Sequence, residues 1–245
     1  MKQFIFRDLI RKTGYDIVRY PYFTSNVAEK NYQKLLKHFG VDMIFDIGAN
    51  VGQYALETLG FGFDGTLVSF EPMTKEYTIL QEKVKSNPNW VLAPQMAVGD
   101  TSGFIEFNVS ENSESSSILD PNEYALGFDP TIKTVKKEKV RIETVDNLFE
   151  TYAKGKNNLF LKIDVQGYEE NVLKGAANVI SKVKGIHVEF SLKPLYAGQK
   201  SMMDIMQMIN DFGFEPYYFI PHVSIDNIGR LMQVDGVFFR NGDNQ

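Results

Sequence analysis

The sequence contains no cysteine. Disulfide bonds, zinc–thiolate sites and thiol nucleophiles are therefore excluded, and so is a small secreted scaffold held together by disulfides. The chain also lacks any apolar run approaching the roughly 18 residues that a membrane-spanning helix needs. In residues 1–8 a run of only three apolar residues is followed by charged ones. This run is too short to be the apolar core of a signal peptide. We therefore expect a cytoplasmic protein with no transmembrane segment.

Positive charge is scarce over most of the chain. The 245 residues include 26 Lys and Arg against 31 Asp and Glu, a net charge of −5. Residues 1–40 hold eight Lys or Arg and three Asp or Glu, a charge of +5, so residues 41–245 carry −10. Nucleic-acid binding requires clustered Lys and Arg, and we expect no such partner. The hydrophobic content of 43% is that of an ordinary globular protein.

Short apolar runs alternate with helical patterns along most of the chain, which predicts an α/β fold with a parallel sheet covered on both faces. The predicted parallel strands are residues 43–47, 66–70, 90–98, 159–164 and 185–190. The predicted helices between and after them are residues 53–61, 74–85, 169–180 and 201–212. Residues 214–220 and 233–239 are predicted to close the sheet as antiparallel strands, and residues 104–109 to pair near 139–142.

We place one domain at residues 41–245, preceded by an N-terminal helical extension, residues 1–40. The extension is predicted as two helical pieces broken near Tyr20-Pro21-Tyr22, the second over residues 27–39. Its first part mixes basic and apolar side chains, which suits peripheral contact with an anionic membrane. We favour the alternative, in which the extension packs over the site or mediates a dimer.

The strongest local signal is a glycine-containing turn between the first strand and the following helix. It reads Asp46-Ile47-Gly48-Ala49-Asn50-Val51-Gly52. Glycines there let the backbone turn tightly and approach a ligand closely. The spacing of Gly48 and Gly52 differs from the G-x-G-x-x-G of dinucleotide folds. Because Asp46 would repel a pyrophosphate and attract a sulfonium group, the turn favours S-adenosylmethionine over NAD. A plain tight turn is the alternative.

Two further strand ends contribute candidates for ligand binding. Glu71 ends the second strand, 23 residues after Gly48, and an acidic side chain at about that spacing holds a ribose diol. The third strand ends at Ala97-Val98-Gly99-Asp100, where backbone and side chain could frame an adenine. Ligands of open α/β sheets bind at this edge, so we prefer these roles to a solvated carboxylate or an everyday turn.

Two later strands carry charged residues at positions i and i+2, which point to the same face. Lys162 and Asp164 are one pair, and His187 and Glu189 are the other. Burying such groups is costly unless they form pairs or take part in chemistry. Asp164 and Glu189 could act as a general base or hold a cation. A structural Lys162–Asp164 pair is the alternative.

Metal binding is not established by these residues. A divalent ion such as Mg²⁺ favours oxygen ligands, but two carboxylates do not make a metal site, and we name no metal ligand. His187 is treated as a core residue. The polar segment at residues 110–117 and the adjoining residues 122–128 are expected either to contact the substrate or to form a surface loop.

The assembled motifs resemble those of the FkbM family of S-adenosylmethionine-dependent methyltransferases, from about residue 43 to residue 239. The motifs are the turn at residues 46–52, Phe70-Glu71-Pro72, residues 97–100, Ser115-Ser116-Ser117, residues 161–169 and Val188-Glu189-Phe190. One departure is Gln166, where the family usually has Glu. This replacement removes a charge near the site and counts against an acid, base or metal-ligand role there.

The resemblance implies a Rossmann-like, mostly parallel, seven-stranded methyltransferase sheet. It implies that Asp46, Gly48, Asn50 and Gly52 surround the methionine part of the cofactor, that Glu71 holds the ribose, and that Ala97, Val98 and Asp100 lie near the adenine. Family members typically O-methylate hydroxyl groups of sugars or natural products, so the implied partner is a small-molecule or glycan acceptor.

We predict an in-line displacement in which a substrate hydroxyl attacks the sulfonium methyl group and S-adenosylhomocysteine leaves. Asp164 is the first choice for the base, Glu189 the second, and Lys162 an orienting or charge-balancing residue. An NAD-dependent oxidoreductase and a non-catalytic nucleotide-binding module are the alternative functions. The acceptor and the oligomeric state are not specified by the sequence.

Overall fold

A computed structural model describes residues 25–153, 155–222 and 228–240. The helices are α1 Ser25–His38, α2 Gln53–Gly60, α3 Thr74–Lys83, α4 Glu123–Phe128, α5 Val145–Tyr152, α6 Glu169–Lys174 and α7 Met202–Asp211. The strands are β1 Met43–Ile47, β2 Thr66–Phe70, β3 Trp90–Leu92, β4 Ala97–Gly99, β5 Gly103–Ser110, β6 Thr134–Thr144, β7 Leu159–Ile163, β8 Val183–Ser191, β9 Phe214–Pro221 and β10 Gln233–Arg240. Short 3₁₀ turns lie at Val84–Ser86, Ser113–Ser115, Pro130–Ile132 and Ile180–Lys182.

Seven strands form the main sheet, in the order β3-β2-β1-β7-β8-β10-β9. The pairs from β3 to β8 are parallel, whereas β10 runs antiparallel to both β8 and β9. Every residue of the central strands β1 and β7 is buried. The predicted seven-stranded, mostly parallel Rossmann-like sheet with two closing antiparallel strands is confirmed.

The two faces of this sheet differ in polarity. One face is apolar throughout and packs into the larger core cluster through residues such as Phe45, Leu161 and Val188. The other face begins apolar and turns polar toward the carboxyl ends of the parallel strands. There Asp46 is the register partner of Ser69 on one side and of Lys162 on the other, and Lys162 is the partner of His187. We call Ser69, Asp46, Lys162 and His187 the polar row.

A second, three-stranded sheet has the order β4-β6-β5 and lies beside the main one. The predicted pairing of residues 104–109 with residues 139–142 is present as the antiparallel β5–β6 pair. The predicted single strand at residues 90–98 is wrong, because Trp90–Leu92 joins the main sheet and Ala97–Gly99 joins the second. Pro94 stands between them, and proline has no N–H to continue a strand ladder.

The helices also differ from those predicted. Helix α6 ends at Lys174 rather than at residue 180, and a side chain at the following Gly175 would meet the Gly99 carbonyl oxygen at 2.0 Å. Helix α5 was not predicted, although its sequence carries the signal. The Thr144 hydroxyl caps it by accepting from the Asn147 amide, and Val145 and Leu148, three residues apart, are buried on one face.

The N-terminal extension is described only from residue 25. The first predicted helical piece lies outside the described residues, and the second corresponds to α1, whose Tyr32 and Leu36 pack into the smaller core cluster. Among the described residues, no helix combines the length and the apolar content that a membrane crossing requires.

The chain crosses itself closely where the loop after β1 meets the loop after β7. Gly48 has a φ of +80°, and a Cβ atom there would lie 1.8 Å from the carbonyl oxygen of Asp164. Only glycine can occupy this position without moving the backbone, since both the left-handed conformation and the missing side chain are required. Gly48 therefore sets how closely these two strand ends approach.

We expect Gly48→Ala to lower the free energy of unfolding by more than about 3 kcal/mol, because backbone must move to admit the methyl group. Gly198→Ala is the matched control, since Gly198 shares the φ of +80° but has no atom within 4 Å of the point that the alanine methyl group would occupy. That control should lose only about 1–2 kcal/mol, the cost of a left-handed alanine. Urea unfolding followed by circular dichroism measures the unfolding free energy of both variants. Equal losses in the two would contradict the proposal that the backbone contact between Gly48 and Asp164 requires glycine.

Candidate active site

A cavity of about 810 Å³ lies at the carboxyl ends of β1, β2, β7 and β8. The end of β9 and the start of β10 reach the same edge because β10 runs antiparallel to both of its neighbours. Helix α1 closes part of the wall with Tyr32, whose ring packs edge-on against His187 at 5.6 Å between centroids. The cavity therefore lies where ligands bind in open α/β sheets.

The cavity brings together most of the residues singled out from the sequence. Those that line it are Gly48, Asn50, Glu71, Ala97, Val98, Lys162, Asp164 and Glu189. Asp46, Gly52 and Asp100 are not among the lining residues. Asp46 is fully buried beneath the wall, and the Asp100 carboxylate accepts a hydrogen bond from Asn171. Gly52 begins α2 in a left-handed conformation and packs against Trp90.

Glu71 fastens the glycine turn to the end of β2. Its Oε2 accepts from the Asn50 amide and its Oε1 from the Met73 amide, each at 2.7 Å. Burial raises the pKa of Glu71 to about 8, against the opposing effect of these two hydrogen bonds. Each carboxylate oxygen keeps a further lone pair, so Glu71 can still accept from a ligand in the cavity.

Lys162 lies between two carboxylates in the polar row. Its Nζ is 3.1 Å from Asp164 Oδ2 and 3.8 Å from Asp46 Oδ1, and it lies over the Tyr54 ring. Burial alone would lower the pKa of Lys162, but the charges of Asp164 and Asp46 raise it above its ordinary value. Burial raises the pKa of Asp46, whose Oδ2 accepts from the Ser69 hydroxyl at 2.9 Å. Lys162 is therefore a fixed cation beneath the cavity.

Gln166 joins two of the carboxylates singled out from the sequence, those of Asp164 and Glu189. Its side-chain amide donates to Asp164 Oδ1 at 2.8 Å and to Glu189 Oε2 at 2.7 Å, while its carbonyl oxygen accepts from the Tyr196 hydroxyl at 3.0 Å. The residue has a φ of +53°, a left-handed conformation that is uncommon outside glycine. A glutamate could not donate to both carboxylates, so this departure from the family pattern has a structural function here.

Glu189 also contacts a histidine that the sequence reasoning missed. His222 Nδ1 lies 3.4 Å from Glu189 Oε1, and His222 Nε2 lies 3.0 Å from Asp235 Oδ2. Burial, together with the charges of Asp164 and Asp235, raises the pKa of Glu189 well above its ordinary value. The hydrogen bond to Asp235 raises the pKa of His222.

Asp235, also missed, is the carboxylate shared by two histidines. Besides His222, it meets His187 Nε2 at 3.4 Å. Burial alone would raise the pKa of Asp235, but the charges and hydrogen bonds of His187 and His222 lower it below its ordinary value. A signal for Asp235 exists in the sequence, because it is a charged residue inside the apolar run of β10. His222 carries no such signal, since it follows Pro221 in a polar segment.

The predicted polar segment forms another wall of the cavity. Asn112, Ser113, Glu114, Ser115 and Ser116 line it. A backbone bridge between Asn108 and Ser117 and the hydrogen bond from Tyr196 to the Ser115 carbonyl oxygen hold the segment in place. The segment is thus part of the site and supplies hydroxyl, amide and carboxylate groups to it.

The arrangement divides into two chemical parts. The turn at Gly48 and Asn50, together with Glu71, offers closely approachable backbone and a carboxylate suited to a nucleoside. The second part gathers Asp164, Glu189 and their partners. Among the described residues that line the cavity, Lys162 is the one lysine or arginine, so the site as a whole suits neutral or cationic ligands.

A family model described as the methyltransferase FkbM domain matches residues 46–216. Among curated proteins, a hexuronic acid methyltransferase of Haloferax volcanii is 28% identical over 148 residues, covering 60% of this chain and 55% of that protein. The chain thus matches little more than half of that relative's length. A 2-O-methyltransferase of Sinorhizobium fredii is 26% identical over 188 residues, covering 69% and 72%.

Solved structures with a similar arrangement are more distant. Magnesium protoporphyrin IX methyltransferase from Synechocystis with bound SAM has 13% identity, a TM-score of 0.47 and 98% coverage of both chains. Precorrin-6y C5,15-methyltransferase from Geobacter metallireducens has 9% identity and a TM-score of 0.48, covering 92% of this chain and 94% of that chain.

The bridging function of Gln166 can be tested by Gln166→Glu. The variant should lose about 1–3 kcal/mol of unfolding free energy, because two carboxylates lose their shared donor and gain a like charge. Gln53→Glu is the control, since the exposed Gln53 amide donates to one carboxylate only, that of Glu114 at 3.2 Å. Urea unfolding at neutral pH compares them. Equal stability of the two variants would show that Gln166 does not bridge.

Proposed function

Because this chain belongs to the FkbM methyltransferase family, we propose that it is an S-adenosylmethionine-dependent O-methyltransferase acting on a hydroxyl group of a sugar, a glycan or a natural product. The observation that carries this proposal is the single cavity in which the glycine turn and Glu71 share one space with Asp164 and Glu189. The names of two relatives, a hexuronic acid methyltransferase and a 2-O-methyltransferase, support a sugar hydroxyl as the acceptor.

The residues present fit this cofactor. The Glu71 carboxylate suits a ribose diol because it can accept from two hydroxyl groups while it keeps its two backbone donors. Gly48 and Asn50 expose backbone beside it, and Ala97 and Val98 supply an apolar wall suited to an adenine. S-adenosylmethionine, when bound, supplies a methyl group on a positively charged sulfur, which an acidic cavity attracts.

Asp164 is proposed as the general base. Its side chain is 31% exposed, more than the 11% of Glu189, and it lines the cavity. In the reaction the acceptor O–H bond breaks and the proton passes to Asp164, while the oxygen forms its bond to the methyl carbon as the carbon–sulfur bond breaks. Lys162 holds the Asp164 carboxylate in position at 3.1 Å. Glu189, joined to Asp164 through Gln166, is the second candidate.

The acceptor is proposed to bind beside the polar segment. Ser113, Ser115 and Asn112 offer hydroxyl, amide and backbone groups of the kind that recognise sugar hydroxyls, and Tyr196 and Leu195 add apolar surface for a sugar ring. These groups lie in the same cavity as Asp164, which would align an acceptor hydroxyl with the base.

Calorimetric titration with S-adenosylhomocysteine and with NAD distinguishes the methyltransferase from the NAD-dependent oxidoreductase. We expect S-adenosylhomocysteine to bind and NAD not to bind. Transfer of a labelled methyl group to a panel of sugars, glycans and phenolic natural products then tests turnover. Binding of S-adenosylhomocysteine with no transfer to any acceptor would favour a non-catalytic binding module.

The role of Glu71 predicts a pH dependence of cofactor binding. Glu71 is protonated below its pKa of about 8, whereas ribose hydroxyls donate to the ionised form. The affinity for S-adenosylhomocysteine should therefore rise from about pH 6 to about pH 8, by at most about tenfold per pH unit, and level off above. In Glu71→Gln the affinity should be lower and this rise absent. The same pH profile in both proteins would show that Glu71 does not bind the ribose.

The role of Asp164 predicts a separation of turnover from cofactor binding. Asp164→Asn should lower kcat by about 10²–10⁴-fold, the usual contribution of a positioned base. Its affinity for S-adenosylhomocysteine should stay within about twofold, because Asp164 is assigned to the acceptor. Glu106→Gln, on the exposed face of β5, is the control and should match the unmodified chain. Full activity of Asp164→Asn would show that another group is the general base.

A further inference from the structure

Three side chains with metal-binding atoms converge at the acceptor end of the cavity. Glu189, His222 and Asp235 each offer one ligand atom, and these atoms all lie within 4.8 Å of one another. We call these three residues the carboxylate–histidine cluster. They come from β8, the residue after β9 and the start of β10, and all three line the cavity. They are therefore both close together and accessible to a ligand.

The spacing of the three ligand atoms, within 4.8 Å of one another, is close to that of the coordination shell of a first-row metal ion. Such an ion binds nitrogen and oxygen ligands at about 2.0–2.2 Å, which leaves neighbouring ligand atoms about 3–4 Å apart. The two carboxylates face different nitrogens of the His222 ring, with 3.4 Å between Nδ1 and Glu189 Oε1 and 3.0 Å between Nε2 and Asp235 Oδ2. Because one imidazole gives a single nitrogen to an ion, binding requires His222 to turn so that this nitrogen faces both carboxylates. The register pairing of Glu189 with Asp235 on adjacent strands fixes the two carboxylates independently of any ligand.

The surroundings orient the cluster as protein residues orient metal ligands. Glu189 Oε2 accepts from the amides of Gln166 and Gln233, each at 2.7 Å, which leaves Oε1 on the side of His222. Asp235 is held from behind by His187. His187 Nε2 lies 3.4 Å from Asp235 Oδ2.

Charge balance favours a cation at the same point. Asp46, Asp164, Glu189 and Asp235 are linked through contacts with Lys162, Gln166 and the histidines. Lys162 is the permanent cation among these groups, and it is already shared by Asp46 and Asp164. Glu189 and Asp235 both lie against His222, so a positive charge there, either an imidazolium or a bound ion, would act on both carboxylates.

We propose that the carboxylate–histidine cluster binds one divalent first-row transition ion, such as Mn²⁺ or Zn²⁺. The imidazole ligand favours this class over Mg²⁺ or Ca²⁺, which prefer all-oxygen sites. Binding requires a neutral His222, so the ion takes the place of the His222 proton, which passes to solvent.

The ion has a use in the reaction, and that use rests on the proposed function. Its three proposed ligands line the same cavity as Asp164, so an ion held by them would be accessible to a bound acceptor. There it would hold the oxygen of the acceptor hydroxyl and lower the pKa of that hydroxyl, so that Asp164 accepts the proton more readily. The site itself can be tested without an acceptor or a methyl donor.

The experiment uses the full chain after removal of metal with EDTA and dialysis. Titration with Mn²⁺, followed by calorimetry and by electron paramagnetic resonance, should show one ion per chain. Zn²⁺ should displace it, and Mg²⁺ should compete poorly. His222→Ala and Asp235→Asn should each weaken Mn²⁺ binding by at least about tenfold, whereas binding of S-adenosylhomocysteine should change little in either variant.

The controls are matched by residue type. His38→Ala removes an exposed histidine on α1, and Glu106→Gln removes an exposed carboxylate on β5, and neither should change Mn²⁺ affinity. Electron spin-echo measurements on the unmodified protein should detect an imidazole nitrogen bound to Mn²⁺, so the test holds even if a variant fails to fold.

Absence of Mn²⁺ and Zn²⁺ binding at about millimolar ion would overturn the proposal, since His222 would then carry the charge as an imidazolium. Binding that neither His222→Ala nor Asp235→Asn weakens would overturn it as well. If no acceptor is methylated, the metal titration can still be interpreted, because the titration measures ion binding directly.

Discussion

The buried ion pairs of Lys162 are the interaction on which the rest of the site depends. Two strand ends bring carboxylates to Lys162, the fully buried Asp46 on β1 and the partly exposed Asp164 after β7, and the Lys162 ammonium group lies within 4 Å of both. Through Asp164 the network extends to Gln166 and Glu189. Buried charges of one sign are tolerated only with such compensation, so the half of the cavity that holds Asp164 and Glu189 is arranged around this lysine.

Much of the fold could be predicted from the sequence because its signals are local. Apolar runs, glycine turns and helical periodicity located the parallel strands, and the rule that ligands bind at carboxyl strand ends located Glu71 and Asp164. Register is not local. The alignment of Asp46 with Lys162, and of Glu189 with Asp235, depends on how separate strands pair, which no single segment reveals. For the same reason Asp100 was expected at the site although its carboxylate bonds Asn171 instead.

The residues that were missed follow from a reversal of chain direction. Prediction placed β9 and β10 as antiparallel strands, but the consequence for the site was not visible without the sheet order. Reversal brings the end of β9 and the start of β10 to the edge where the parallel strands end, and so delivers His222 and Asp235. Gln166 was seen in the sequence, but its function was not. Its glutamine side chain, in place of the glutamate usual in the family, supplies the amide donor that Asp164 and Glu189 share.

The two halves of the cavity are built by residues that lie far apart in the sequence. The surfaces assigned to the methyl donor come from residues 46–98, whereas His222 and Asp235 lie beyond the span matched by the family model, residues 46–216. Mutations in the last strands can therefore alter the carboxylate–histidine cluster while the turn and the strand ends around Glu71 keep their sequence. A protein built in this way can change these two proposed metal ligands by drift at one end of its coding sequence, without altering the residues around Glu71.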